Sequence, residues 1–130
     1  MSIGQILVID NDDTARFLLS RVMYRMNRTE SLFFAKNERE ALELMGRQEF
    51  SLILLDLHQP NANGFELLQG LGQWQEATGK SLPRIVVLSS GDTDNAYSKA
   101  RTEYFHMVSA HLEKPFTEHH VLQLLEVEGE

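Results

Sequence analysis

The sequence predicts an α/β domain: a five-stranded parallel sheet with helices on both faces. Three observations predict it. Short apolar runs alternate with amphipathic stretches five times along the chain. The runs carry no charge along their length, as strands buried on both faces do. The connections between elements are short, and strict alternation joined by right-handed crossovers gives a parallel sheet covered on each side. The chain has 130 residues, a length that fits one domain. Five such units leave no room for a second domain, so residues 1–130 are expected to form one domain with no attached output domain.

The elements follow in order. Gln5–Asp10 (QILVID) reads as the first strand and ends in acid. Thr14–Asn27 places Ala15, Leu18, Leu19, Val22, Met23 and Met26 at helical spacing, with Arg16, Arg21 and Arg25 turned outward. Ser31–Ala35 is a short second strand. Asn37 and Glu40 have the spacing of a capping box and open a helix bearing Ala41, Leu42, Leu44 and Met45. Ser51–Asp56 (SLILLD) is the third strand, again ending in Asp. The loop His58–Gly64 is dense in turn residues. Phe65, Leu67, Leu68, Leu71 and Trp74 mark a helix that Gly70 and Gly72 should weaken, closed by Thr78-Gly79-Lys80. Arg84–Ser89 is the fourth strand. Asp92 caps a helix to about Phe105, a fifth strand lies near Val108–Leu112, and Thr117 caps a last helix with Val121, Leu124 and Leu125.

Composition removes several function classes. There are no cysteines, which excludes disulfide scaffolds, Cys-ligated zinc, iron–sulfur clusters and thiol catalysis. Twelve Lys and Arg against nineteen Asp and Glu give a net charge of −7, which argues against a dedicated nucleic-acid binder. No signal peptide or membrane span is visible, so a soluble cytoplasmic protein is expected.

In open parallel sheets ligands bind beyond the carboxyl ends of the strands. Those ends carry Asp10-Asn11-Asp12-Asp13, Asp56, Ser89-Ser90 and Lys114-Pro115. If the first and third strands are neighbours, Asp10 and Asp56 converge on one crevice. Two close carboxylates repel, which raises a pKa or recruits a hard cation. Mg²⁺ suits such a pair, since it takes one or two carboxylates and keeps several waters. A Ser89 hydroxyl and a Lys114 ammonium facing the same point would complete a site for a phosphoryl group. Asp56, at the centre of the group, is the natural nucleophile.

Four segments, ILVID-N, LILLDLHQPNANGFELL, VVLSS and EKPF, stand in this order over essentially the whole chain. In this the sequence resembles the receiver domains of two-component response regulators. The resemblance implies a flavodoxin-like fold with strand order 2-1-3-4-5. It implies that Asp56 accepts a phosphoryl group from a histidine kinase or a histidine phosphotransfer protein. Asp10 falls at the first position of the family's acidic pair, Ser89 at the switch hydroxyl, and Lys114 at the phosphate-binding lysine. His58 falls where a backbone carbonyl ligates the metal, alongside Asp10, Asn11 and Asp56. Phosphorylation would then change a protein-binding surface over the fourth helix, fifth strand and fifth helix, read by a downstream protein target. The chain is expected to be a phosphoacceptor that assists its own chemistry, not an enzyme with a separate substrate.

Three departures from the pattern stand out. Asn11 replaces the second acid of the pair, so weaker Mg²⁺ binding and slower phosphorylation are expected. His111 stands at the switch aromatic, three residues before Lys114, and an imidazole titrates near neutral pH. His58 is an uncommon residue two places after the acceptor, where the family tunes the phosphoryl lifetime.

Rival readings differ in what they leave unexplained. Asn11 feeds a reading in which the chain is a phosphorylation-impaired, constitutive protein-interaction module; Asp56, Ser89 and Lys114 oppose it. Asp10-Asn11-Asp12-Asp13-Thr14 also fits the first motif of Mg²⁺-dependent aspartyl-phosphate phosphatases, with Asp10 as nucleophile. That leaves Asp56 idle and lacks an acidic pair after Lys114. A calcium loop starting at Asp10 fails, with Ala15 at its sixth position and Arg21 at its twelfth. Asp12 and Asp13 suit the first turn of a helix, and Ser90 suits a loop hydroxyl. His106, His111, His119 and His120 hold no metal-binding spacing.

Overall fold

The computed structural model describes residues 4–10, 13–27, 31–56, 64–90, 106–114 and 117–129. Among these, the side chains of 13–15, 64–65, 89–90, 113–114 and 124–129 are not described. The strands are β1 (Ile6–Ile9), β2 (Leu32–Ala35), β3 (Leu52–Asp56), β4 (Arg84–Ser90) and β5 (Val108–Lys114). The helices are α1 (Asp13–Arg25), α2 (Glu38–Arg47), α3 (Gly64–Thr78) and α4 (Glu118–Gly129). The helix expected between Asp92 and Phe105 lies outside the described residues, so α4 here is the last helix of the chain. The sheet is parallel, in the order β2-β1-β3-β4-β5.

Strand alternation divides the core in two. Leu7, Ile9, Ile53, Leu55, Ile85 and Val87 face α2 and α3, where they meet Ala41, Met45, Leu68 and Leu71. Ile6, Val8, Leu52, Leu54, Val86 and Leu88 face the other way and meet Leu19, Val22 and Met23 of α1 and Val121 of α4. Every residue of β1 and β3 is buried, the closing Asp56 of β3 included.

Helix ends follow local chemistry. Asn37 accepts a hydrogen bond from the Glu40 backbone N–H at 2.9 Å, and Glu40 Oε1 reaches back to the Lys36 N–H at 2.8 Å. Asn37→Ala should therefore lower stability by about 1 kcal/mol, read by urea denaturation; an unchanged midpoint would contradict the capping role. Thr117 Oγ1 accepts from the His120 N–H at 3.3 Å, while His120 Nδ1 accepts from the Thr117 N–H at 3.1 Å. A histidine thus fills the place that Glu or Gln holds in the usual capping box. At the end of α3, Gly79 takes φ +73°, the left-handed turn that suits glycine.

The structure adds detail at α3 and at the fifth strand. Gly70 and Gly72 do not interrupt α3, which runs unbroken from Gly64 to Thr78. Gly70 is a point of close approach: a Cβ there would stand 1.6 Å from Oε1 of the flexible Glu38 side chain of α2. The fifth strand extends two residues further, to Lys114, and contains an irregularity. Ile85 pairs with Val108, but Val86 pairs with Ala110, so Ser109 is an extra residue. Val108 packs with the α2/α3 core, and Ala110 and Leu112 with the α1/α4 core.

Candidate functional site

Asp10 directly follows β1, and Asp56 ends β3. Ile9 pairs with Leu55, so the two acids stand at neighbouring positions on adjacent strands. Neighbouring strands lie about 4.8 Å apart. The Asp10 N–H still donates to the Ala35 carbonyl at 3.1 Å, so the sheet ladder holds its backbone. Alternation puts Asp10 in phase with Ile6 and Val8, and Asp56 in phase with Leu52 and Leu54. Both acids therefore belong to the α1/α4 side. Each is 2% exposed, and they are the two buried charged residues among those described. The condition set by the sequence, that the first and third strands be neighbours, is met.

The other strand ends continue the row. Asp56 pairs with Leu88, and Ser89 and Ser90 follow it at the end of β4. Ser89 pairs with Glu113 and Ser90 with Lys114, so the lysine closes the row at the end of β5. His111 pairs with Val87, one of the residues facing α2 and α3, and is half-buried. Asn11, Asp12 and His58 lie outside the described residues. Asp13 is the first residue of α1.

The donor set fits a hard divalent cation. Two buried carboxylates at adjacent positions offer charged oxygen ligands. No group of three or more His, Cys, Asp or Glu that could hold a metal is found among the described residues. The two-carboxylate arrangement is therefore the relevant one. Such a pair suits an ion that takes one or two carboxylates and keeps several waters.

Outside the row, α1 presents a face that periodicity alone left unassigned. Phe17 is 65% and Tyr24 77% exposed. They line a shallow depression of about 350 Å³ with Ser20, Arg21 and Arg25. Arg16, expected to point outward, is half-buried with its guanidinium 4.6 Å from the centre of the Phe34 ring. The signal for this face was present in the sequence as two aromatics that fall outside the apolar stripe of the helix.

Comparison with known proteins agrees with the geometry. The response regulator protein PilR of Pseudomonas aeruginosa is 31% identical over 106 residues, covering 81% of this chain and 22% of PilR. The transcriptional regulatory protein SrrA of Staphylococcus aureus is 29% identical over 120 residues, covering 92% of this chain and 45% of SrrA. The chain thus spans less than half the length of these relatives. Among solved structures, the chemotaxis response regulator CheY4 of Vibrio cholerae superposes with a TM-score of 0.74 at 21% identity, covering 98% of this chain and 99% of that one. The receiver domain of Ssk1 of Saccharomyces cerevisiae, crystallised with the histidine phosphotransfer protein Ypd1, is represented by a structure with a TM-score of 0.79 at 19% identity, covering 99% of this chain and 92% of that one. At these identities the superpositions establish the fold. Residues 6–126 match the response regulator receiver domain, and the chain belongs to that family.

Proposed function

We propose that this receiver takes a phosphoryl group on Asp56 and signals by changing a protein-binding surface. The observation that carries the reading is the pair of buried acids, Asp10 and Asp56, in neighbouring register at one edge of the sheet. A carboxylate oxygen of Asp56 attacks the phosphorus of a phosphohistidine. The new P–O bond forms as the P–N bond breaks, and the imidazole leaves. Lys114 and Ser89 bind the phosphoryl oxygens, whose charge needs neutralising. Asp10, Asp56, the Asn11 amide and the His58 backbone carbonyl would hold Mg²⁺, which supplies positive charge to that same group when bound. Ser89 moves toward the phosphoryl group, and His111 packs into the space it leaves, biasing a pre-existing equilibrium between two surface states.

The donor is a histidine kinase or a histidine phosphotransfer protein. Support comes from the Ssk1 receiver, a structural neighbour crystallised with such a protein. The outer face of α1, with two exposed aromatics and two arginines, suits a protein donor, and α1 begins three residues after Asp10. The output is a downstream protein target rather than a nucleic acid or membrane, in keeping with the net charge of −7. Cytoplasmic location fits the reading; no helix among the described residues is long and apolar enough to cross a membrane. The family assignment leaves the phosphatase reading through Asp10 without support.

The test is intact mass after incubation with acetyl phosphate and Mg²⁺, beside Asp56→Asn and a chelator control. An adduct in the wild type alone supports the reading. No adduct, with beryllofluoride also without effect, favours the constitutive interaction module that Asn11 suggests. Asn11→Asp adds a charged ligand and should tighten Mg²⁺ binding about tenfold by calorimetric titration. Equal affinities would remove Asn11 from the metal site.

A further inference from the structure

Sheet order separates the two ends of the proposed site. β1, which delivers Asp10, and β5, which delivers Lys114, are not neighbours, because β3 and β4 lie between them. β5 is also an edge strand, held by a ladder on one side alone. The end of β5 therefore has β4 as its one neighbour within the sheet.

A second link runs through the helices. α1 follows β1 and α4 follows β5, and the two pack together through Leu19, Val22 and Val121. Glu118, the first residue of α4, receives two arginines of α1: Arg21 through Nε at 3.4 Å, and Arg25 through Nη1. The Glu118 side chain is 23% exposed and lies between the helices, while both arginines keep about half their surface in solvent. Apolar packing allows two helices to slide; a carboxylate gripped by two guanidinium groups one turn apart fixes their register. Lys114 lies four residues before Glu118, a reach of at most about 14 Å.

We propose that Glu118 is a positioning residue. Through Arg21 and Arg25 it ties the β5–α4 connection to α1, and so holds Lys114 at a fixed distance from the Asp10–Asp56 pair. This rests on the reading of Asp56 and Lys114 above. Loosening the tie lets the end of an edge strand drift, and a lysine that drifts neutralises the phosphoryl oxygens less well.

Three variants test it: Glu118→Gln, Arg21→Met with Arg25→Met, and the combination of all three. Arg21→Lys with Arg25→Lys is the conservative control. The rate of phosphoryl uptake from acetyl phosphate is followed by intact mass. Glu118→Gln and the double Met variant should each be slower by about two- to fivefold, the range that partly exposed ion pairs support. The combination should be no slower than either, since all break one tie. The Lys control should recover most of the rate. Potassium chloride at about 0.5 M should bring the wild type down to the rate of the variants, because screening acts on the pairs they lack. Wild-type rates in the variants at both salt concentrations, or additive losses in the combination, would overturn the proposal.

Hydrogen exchange without donor or metal gives an independent arm. Amides of residues 112–121 should exchange faster in Glu118→Gln, with β1 and β3 as protected as in the wild type. Unchanged exchange at 112–121, or a rise spread over the whole chain, overturns the tie. If the wild type itself takes up no phosphoryl group, the reading of Asp56 fails, and the exchange arm alone decides the role of Glu118.

Discussion

Asp56→Asn is expected to abolish phosphoryl uptake and, in the metal-free protein, to raise stability. The first effect follows from removing the nucleophile. The wild type should gain about 80 Da, one phosphoryl group, with acetyl phosphate and Mg²⁺, and the variant should gain nothing. The second effect follows from burial. Asp10 and Asp56 are each 2% exposed and occupy adjacent register positions, so two negative charges share a poorly solvated end of the sheet. Replacing one by an isosteric amide removes their repulsion and keeps the shape. The expected readout is a higher Tm for the metal-free variant. Mg²⁺ should stabilise the wild type and do much less for the variant, because a ligand stabilises the state it binds. Persistent uptake in Asp56→Asn, or a fall in its metal-free Tm, would refute this account.

Leu54→Ala should cost about 2–5 kcal/mol. Leu54 is the middle residue of the central strand, 1% exposed, with Val8 and Val86 opposite it in register on either side. It lies in the core beneath α1 and α4. Strand neighbours on both sides and helices above leave little room to collapse, so the upper part of that range is the expected one. Against a total stability of roughly 5–15 kcal/mol, a loss of this size should shift a urea midpoint strongly at unchanged slope. Phe17→Ala on the exposed face of α1 supplies the contrast, with a change of about 0.5 kcal/mol or less. Similar midpoints for the two variants would mean that the division between core and outer face drawn here is wrong.

Legibility in the sequence depended on how directly a residue reports its surroundings. β1 and β3 were readable because a run without charge has few alternatives to burial on both faces. The caps at Asn37 and Thr117 were readable because the bonds involved span three residues. The row of Asp10, Asp56, Ser89 and Lys114 was readable because each residue punctuates an apolar run. Other features depend on partners distant in the chain. What lies against Gly70, the Glu38 carboxylate of another helix, is set by packing between segments distant in the chain. The phase of β5 was hidden because an extra residue breaks the alternation from which phase is read. Glu118 carries no motif; its role comes from two arginines nearly a hundred residues earlier.

The extra residue in β5 divides that strand into two halves with different obligations. Val108 answers to one layer of the protein, and Ala110, two residues on, answers to the other. The Ser109 side of the division is exposed, so the insertion burdens neither layer. Pairing the strand regularly with Ser109 kept in the ladder would exchange inside for outside over the second half, His111 and Lys114 with it, whereas deleting Ser109 would leave those residues on the faces they have now. The bulge therefore acts as a phase adjuster: by standing outside the ladder, Ser109 lets Ala110 to Lys114 keep step with Val86 to Ser90 and brings the lysine to the end of the row.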